Sequence, residues 1–194
     1  MYEYFKGKLV TKAPTHVILE VGGIGYYLHI SLTTFSQIKD QEECKLYISF
    51  QVREDSHTLY GFATEGERHL FHHLISVSGI GPNTGRMMLS SITPEEIQQA
   101  IVEGQVQVIQ RIKGIGPKTA QRVILELQDK LKKQGPNALI PLPVVKSSAV
   151  EEALAALTML GFNKPQAEKA LRAVSSDQEE SSVEDLIKLA LKRL

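Results

Sequence analysis

The chain contains a single cysteine, Cys44, among its 194 residues. One thiol can form neither an internal disulfide nor a zinc site built from several cysteines. No stretch of about 18 apolar residues occurs, so we expect no membrane-spanning helix. The first residues lack the basic head and apolar run of a signal peptide. From these absences we expect a cytoplasmic protein.

The chain also lacks an excess of charge of either sign, since 22 basic residues balance 22 acidic ones. A broad electrostatic attraction to a polyanion is therefore not expected. The charge is uneven along the sequence, and only residues 65–134 are net positive, with nine basic and seven acidic side chains. Any binding of phosphate groups must depend on local geometry in that middle segment.

The first part of the chain, residues 1–64, has the composition of a β domain. Runs rich in β-branched and aromatic residues alternate there with Gly, Pro, Asp and Ser, which predicts about five short strands. Strands of this number and length favour a small barrel of the OB type.

Helical spacing of apolar residues begins at Glu65 and defines a second domain, residues 65–134. Thr93-Pro94-Glu95-Glu96 predicts a helix start, with Thr93 as the N-cap. A long helix is predicted from Pro117 to about Lys133.

A linker and a small helical domain are predicted after these two domains. Residues 135–147 are rich in proline and lack any period, which is typical of a flexible linker. Residues 148–194 contain three helical stretches, roughly 149–160, 164–174 and 182–193, and we expect them to form a three-helix bundle.

One short phrase occurs twice in the middle domain. Residues 79–84 read GIGPNT, and residues 114–119 read GIGPKT, 35 positions later. The glycines permit positive φ and leave the backbone bare, and the isoleucine between them can insert into the core. Proline suits the first turn of the following helix. Each phrase therefore predicts a tight turn into a helix N-terminus whose free N–H groups can bind a phosphate.

The helical context makes the repeat more specific than a lone Gly-x-Gly, which is commonly a simple turn. The GGIG segment at residues 22–25 precedes a predicted strand, so we expect a β-turn there. No Gly-x-x-x-x-Gly-Lys-Ser/Thr motif occurs in the sequence. Two copies between helices favour paired helix-hairpin-helix motifs, which hold DNA phosphates without reading bases.

Charged and polar residues follow each phrase, and some of them are candidate DNA contacts. Lys118 and Arg122 share one helix face, and Arg86 follows the first phrase; the alternative is that these charges simply face solvent. The candidate backbone contacts are Gly79, Gly81, Asn83, Thr84, Arg86, Gly114, Gly116, Lys118, Thr119 and Arg122.

Taken in order over the whole chain, these features resemble the RuvA family of bacterial Holliday junction-binding proteins. The segment from residues 52 to 62 is similar to the family's acidic-pin hairpin, with Glu54 and Asp55 as the pin. The paired phrases resemble its two DNA-binding hairpins, and residues 156–162 resemble the start of its motor-binding domain. The resemblance implies an α+β multidomain protein with an OB-type barrel, tandem hairpins, a linker and a UBA-like bundle.

The resemblance also implies a function and a set of partners. A homotetramer, or two of them, would hold an open, planar four-way junction during recombination and repair. It would recruit the ring-shaped ATPase RuvB for branch migration and share the junction with the nuclease RuvC. The chain itself would be non-catalytic, with no cofactor and no metal.

Two positions depart from the family pattern. Asn83 and Pro117 stand where family members often carry lysine. Arg86 is then the only charged residue near the first hairpin, and we expect that hairpin to bind DNA more weakly.

The acidic pair has a physical argument of its own. Four copies near a four-fold axis would repel phosphates there and disfavour a continuous duplex. In isolation, acidic residues at a hairpin tip simply face water. Adjacent strand residues point to opposite faces, so Glu54 and Asp55 are a poor pair of metal ligands.

The resemblance assigns the RuvB-binding surface to Leu157, Leu160, Phe162 and Leu191. The alternative is that all four are core residues of a very small bundle.

Other functions remain open at this stage. His69 and His73 have the i, i+4 spacing of metal ligands, with His72 beside them, but we interpret them as surface or groove residues. A structure-specific nuclease would need a cluster of carboxylates that the sequence does not supply. A general duplex-binding scaffold without junction preference is the third possibility.

Overall fold

A computed structural model of the chain describes residues 2–134, 149–175 and 182–193. The described residues fall into two compact units, one made of residues 2–134 and the other of the remaining two segments. No helix among them is long and apolar enough to cross a membrane.

The first unit begins with the predicted barrel. Its strands are β1 (Tyr4–Ala13), β2 (His16–Val21), β3 (Ile24–His29), β4 (Glu43–Val52) and β5 (His57–Phe62). They close in the order β1-β2-β3-β5-β4, and only the β3–β5 pair is parallel. The prediction of a five-stranded OB-type barrel is confirmed.

Alternation along the strands builds the barrel core. In β2 the fully buried Val17 and Leu19 alternate with more exposed neighbours, as the two-residue period of a strand requires. Gly22 and Gly23 form the turn to β3 with φ of 59° and 82°, which two-residue hairpins favour. The predicted β-turn is therefore confirmed.

A short helix, α1 (Leu32–Ile38), lies between β3 and β4 and was not predicted. Its N-cap is Ser31, whose hydroxyl accepts a hydrogen bond from the Thr34 N–H at 2.9 Å. The seven residues are too few for a clear helical period in the sequence, and the cap and tertiary packing define the helix instead.

The helical part of the first unit comprises α2 (Glu65–Ile75), α3 (Pro82–Ser91), α4 (Pro94–Val102), α5 (Val106–Gln110) and α6 (Pro117–Gln134). Thr93 caps α4 as predicted, and it forms a reciprocal capping box with Glu96. Apolar side chains from all five helices share one buried core.

Strand β5 joins the barrel to that helical core. Tyr60 and Phe62 are buried and pack on Phe71 of α2, with ring centroids 5.3 Å and 4.8 Å away. A buried carboxylate adds a polar connection, because Glu67 of α2 accepts hydrogen bonds from the hydroxyls of Ser31 and Thr34. The barrel and the hairpins are thus held in one packed unit.

The second unit consists of α7 (Ala149–Met159), α8 (Lys164–Ser175) and α9 (Val183–Leu191), close to the predicted stretches. Small and medium apolar residues, including Ala153, Leu157 and Leu186, form its core. Gly161 has a φ of 96° in the turn between α7 and α8. The predicted linker, residues 135–147, and the predicted break at 176–181 lie outside the described residues.

We predict that Glu67 makes stability fall as pH rises. Burial raises the pKa of Glu67 above its ordinary 4.5, although the hydroxyls of Ser31 and Thr34 oppose the shift. The folded chain therefore binds this proton more tightly than the unfolded chain, and the associated stability is lost as pH rises through the raised pKa. Glu67→Gln should remove this loss, measured by urea unfolding at several pH values. The exposed Glu20→Gln is the control, and a wild-type-like pH dependence in Glu67→Gln would contradict the prediction.

Candidate nucleic-acid interface

The first repeated phrase forms the turn between α2 and α3. Gly79 has a φ of 93°, Ile80 is buried with 4% of its surface exposed, and Gly81 is the extended N-cap of α3. Pro82 occupies the first helical turn. The predicted roles of the glycine, the isoleucine and the proline are confirmed at this site.

The second phrase repeats this backbone between α5 and α6. Gly114 has a φ of 89°, and Ile115 is 5% exposed. Three backbone hydrogen bonds of the first hairpin recur in the second, 35 positions later, with the same lengths. The bonds from Val77 N to Leu74 O and from Ile112 N to Ile109 O measure 3.2 Å, and those from Ile80 N to Val77 O and from Ile115 N to Ile112 O measure 3.0 Å. The bonds from Gly85 N to Gly81 O and from Ala120 N to Gly116 O measure 2.9 Å. The two turns are therefore the same structure made twice, and neither follows a strand.

The glycines of each phrase have different roles. Gly79 and Gly114 have the positive φ that disfavours any side chain. Gly81 and Gly116 do not. Among the described residues, a Cβ at Gly116 would meet no atom within 4 Å, and one at Gly81 would meet only the Arg53 guanidinium, at 3.9 Å. Neither the backbone conformation nor the space around these two positions requires glycine, and glycine there leaves the helix N-termini bare.

A polar cavity of about 170 Å³ separates the first hairpin from the β4–β5 hairpin. Its lining comprises Gln51, Arg53, Ser56, Thr58, Tyr60, Gly81, Pro82 and Asn83. The Tyr60 hydroxyl donates to Asn83 Oδ1 at 3.2 Å, which leaves the Asn83 amide NH2 group as a donor. Arg53 is exposed, and no ion pair among the described residues involves it.

Arg53 therefore brings a positive charge to the first hairpin, although the sequence places it 26 positions before Gly79. The prediction that Arg86 is the only charge near this hairpin is wrong for that reason. The sequence around Gly79 and Gly81 contains no sign of Arg53, because Arg53 lies on a different hairpin. Only the packing of the β4–β5 hairpin against α3 brings Arg53 close to Gly81.

Arg86 itself points toward the barrel. Its Nη1 donates to the backbone oxygens of Thr15 at 2.9 Å and Ile30 at 3.3 Å, and its Nε is buried without a hydrogen-bond partner. The nitrogen that makes these bonds is directed at the barrel and not at the hairpin. The structure therefore does not support Arg86 as a phosphate contact.

On the second hairpin, the predicted residues lie around the start of α6. Lys118 is exposed and Thr119 is half-buried in the first turn. Arg122 is exposed too, but its Nη1 donates to the Ser78 backbone oxygen at 3.1 Å. Since Ser78 immediately precedes Gly79, Arg122 connects the second hairpin directly to the first.

The acidic pair lies on the four-residue loop between β4 and β5. Glu54 and Asp55 are both exposed, and the loop is closed by the Arg53 N–H, which donates to Ser56 O at 2.8 Å. The expectation that the two side chains alternate as strand residues is wrong, because neither residue lies in a strand. In the parts of the chain that are described, no three His, Cys, Asp or Glu side chains are grouped as metal ligands.

Comparison with known proteins gives consistent matches along the chain. The family model for the RuvA N-terminal domain matches residues 1–61, a SAM-like helix-hairpin-helix tandem matches 71–129, and the RuvA C-terminal domain matches 148–194. The chain belongs to the RuvA family. The resemblance found in the sequence and the predicted fold class are thereby confirmed.

Relatives that match along their whole length share one name, Holliday junction branch migration complex subunit RuvA. The protein of Christiangramia forsetii is 52% identical over all of both chains. That of Cytophaga hutchinsonii is 49% identical over 99% of each, and that of Bacteroides fragilis is 46% identical over all of both chains.

The C-terminal domain of this RuvA-family chain exposes only part of the predicted partner surface. Leu157 is fully buried in the bundle core, as the alternative of a core residue expected, so it can border the predicted partner surface but does not form it. Leu160 and Leu191 are exposed, and Phe162 is half-buried. Sequence reasoning missed Met159, which is 89% exposed at the end of α7.

Two of the three neighbouring histidines of α2, His69 and His72, contact other side chains of the protein. His72 Nε2 lies 3.0 Å from the Ser49 hydroxyl, and burial lowers its pKa. His69 lies 3.7 Å from Glu65 on the same helix. These contacts fit the interpretation of surface and groove residues.

Two glycine substitutions in the second hairpin should separate folding from DNA binding. Gly114→Ala places a side chain at a φ of 89° and should cost about 1–2 kcal/mol of unfolding free energy. Gly116→Ala should leave thermal unfolding unchanged but weaken DNA binding, because its methyl group covers the bare helix N-terminus. Calorimetry and fluorescence anisotropy with labelled DNA measure the two effects. Unchanged DNA affinity in Gly116→Ala would contradict this role of the bare backbone.

Proposed function

We propose that this protein binds four-way Holliday junctions without regard to sequence, holds them open and planar, and recruits a RuvB-type ATPase for branch migration. It is the non-catalytic DNA-binding subunit, and the motor partner hydrolyses ATP. The observation that carries the proposal is the pair of hairpins with matching backbone hydrogen bonds and bare helix N-termini. The name shared by these relatives, Holliday junction branch migration complex subunit RuvA, supports it.

Each hairpin suits one stretch of phosphate backbone. Uncovered N–H groups and the positive end of the helix dipole favour an anion at the start of α3 and of α6. Backbone donors contact phosphates and carry no base information. The proposed contacts are Gly79, Gly81, Asn83, Thr84, Gly114, Gly116, Lys118, Thr119 and Arg122. Arg53 takes the role of phosphate contact at the first hairpin that the sequence predicted for Arg86.

The acidic loop supplies the preference for a junction. In a homotetramer with four-fold symmetry, four copies of Glu54 and Asp55 would gather near the axis. Their charges would repel the phosphates of a continuous duplex, whereas strands that part at a crossover avoid them. Both side chains are exposed, as this role requires. One tetramer, or two on opposite faces, would hold the DNA, and a RuvC-type nuclease would act on the same junction.

The second unit serves to dock the motor. Leu160, Leu191 and the half-buried Phe162 are the proposed contacts, joined by Met159. Apolar side chains exposed in a small bundle are suited to a protein partner. Leu157 supports this surface from the core. The protein would act in the cytoplasm, where its DNA substrate and an ATP-driven partner are available together.

Competition binding tests the proposal. A labelled four-way junction is bound without ATP at moderate salt, and excess linear duplex with the same arm sequences is added. Binding that survives the competitor supports junction recognition. Loss of binding in proportion to competitor phosphate would instead indicate a general duplex-binding protein.

Neutralising the acidic loop should increase duplex binding. The double substitution Glu54→Gln and Asp55→Asn keeps the size of both side chains and removes the repulsion between this loop and DNA phosphates. We expect junction affinity to be retained and linear duplex affinity to rise, measured by anisotropy titrations of both DNAs. Glu20→Gln together with Glu43→Gln, which removes two exposed barrel charges, is the matched control. Duplex affinity that rises equally in both proteins would refute a specific role for the loop.

Arg53 should account for one phosphate contact at the first hairpin. Arg53→Gln removes the charge beside Gly81 and should reduce the slope of log affinity against log salt by about one unit. The slope is measured from junction titrations at several salt concentrations. Lys6→Gln, on the exposed side of β1, provides a control for the loss of one unit of net charge. A salt slope equal to that of wild type would rule out the contact.

A further inference from the structure

Arg86 differs from the other cations near the hairpins because its half-buried guanidinium donates to backbone oxygens of the barrel. It lies on the first turns of α3, directly after the residues of the first hairpin. Its guanidinium donates to two backbone oxygens of the barrel, and its Nε is enclosed without a partner. A partly buried guanidinium loses some of its hydration, and its hydrogen bonds to the protein must offset that loss.

The two acceptors of Arg86 belong to different parts of the barrel. Thr15 lies in the turn between β1 and β2, and Ile30 follows β3. Further hydrogen bonds join α3 to α1, the helix that follows β3. Thr33 Oγ1 donates to Leu89 O at 2.7 Å, and the Leu32 N–H donates to Ser90 Oγ at 3.1 Å. Helix α3 is therefore attached to the barrel at Arg86 and to α1 at Leu89 and Ser90.

The barrel also carries the acidic loop. The flanks of that loop, Arg53 and Ser56, share the walls of one cavity with Gly81, Pro82 and Asn83. The position of α3 on the barrel consequently determines how far the carboxylates of the loop lie from DNA held at the first hairpin.

We infer that Arg86 is a positioning residue that sets the preference for a junction over a linear duplex. It does so by fixing the first hairpin relative to the acidic loop, and it does not contact phosphate. This inference rests on the proposed function, since it names what determines the specificity of the same DNA site.

The physical basis is the short range of the repulsion. At physiological salt, interactions between exposed charges are screened over about 8 Å. A shift of a few ångströms between the hairpin and the loop changes the repulsion felt by duplex phosphates. The number of phosphates that the hairpins contact stays the same.

The test is a double-mutant cycle between Arg86 and the acidic loop. Arg86→Met keeps an unbranched apolar side chain, although a shorter one, and removes both hydrogen bonds that Nη1 donates. The ratio of junction to duplex affinity should fall by about tenfold, the size of effect typical of losing hydrogen bonds from a charged group. In the Glu54→Gln, Asp55→Asn background, the same substitution should leave the ratio unchanged, since no repulsion remains to be positioned. The salt slope for duplex should equal that of wild type.

A second arginine with a buried Nε provides the control. Arg68 of α2 also has an unpartnered buried Nε, and its guanidinium donates to Glu3 O ahead of β1 at 3.0 Å and pairs with the carboxylates of Glu3 and Glu65. Arg68→Met should lower stability without changing the junction-to-duplex ratio at temperatures where the protein is folded. Arg86→Lys is the milder variant in case Arg86→Met does not fold, and it should give a smaller fall with the same dependence on the loop charges.

Three results would overturn the inference. The first is an unchanged ratio in both Arg86 variants while wild type prefers the junction. The second is an equal fall with and without the loop charges. The third is a salt slope reduced by about one unit, which would make Arg86 a phosphate contact. If wild type itself has no junction preference, the proposed function fails, and this inference fails with it.

Discussion

The buried isoleucine of each phrase is the constraint on which the interface depends. Ile80 and Ile115 anchor the turns in one helical core, so the glycines on either side must face outward. The following helix then begins at a proline, which contributes no N–H group, and its remaining first-turn donors are left for a ligand. Binding through such donors cannot distinguish bases, and the proposed lack of sequence preference follows from the same packing that makes the turn.

The two hairpins have the same backbone conformation but different surroundings. The first is attached to the barrel through Arg86 and through the Tyr60–Asn83 hydrogen bond. An exposed cation, Arg53 of the β4–β5 hairpin, lies beside it. The second carries its own lysine, Lys118, and Arg122 connects it to the Ser78 backbone. A chain of contacts thus runs from the barrel to the first hairpin and on to the second.

The sequence predicted features that depend on local rules. The two turns with glycine, isoleucine and proline at fixed positions, and the helix start at Thr93, have conformations that their own residues determine. Arg86 and Arg53 were misjudged for a common reason: the acceptors of Arg86 are 56 and 71 positions away, and Arg53 approaches Gly81 only after the domains pack. Leu157 was misplaced because, in so small a bundle, one apolar position serves the core as readily as the surface.

The neutrality of the chain gives the acidic loop its importance. A strongly basic protein would attract any duplex, and a few carboxylates would alter its affinity only slightly. Here the balance of 22 basic and 22 acidic residues leaves no general attraction, so binding depends on a few directed donors and cations at two turns. Against so limited an attraction, the repulsion proposed for Glu54 and Asp55 would be large enough to change which DNA is bound. Selectivity for DNA shape is therefore easier to achieve with a neutral chain than with a basic one, provided that the repelling loop is held at a fixed distance.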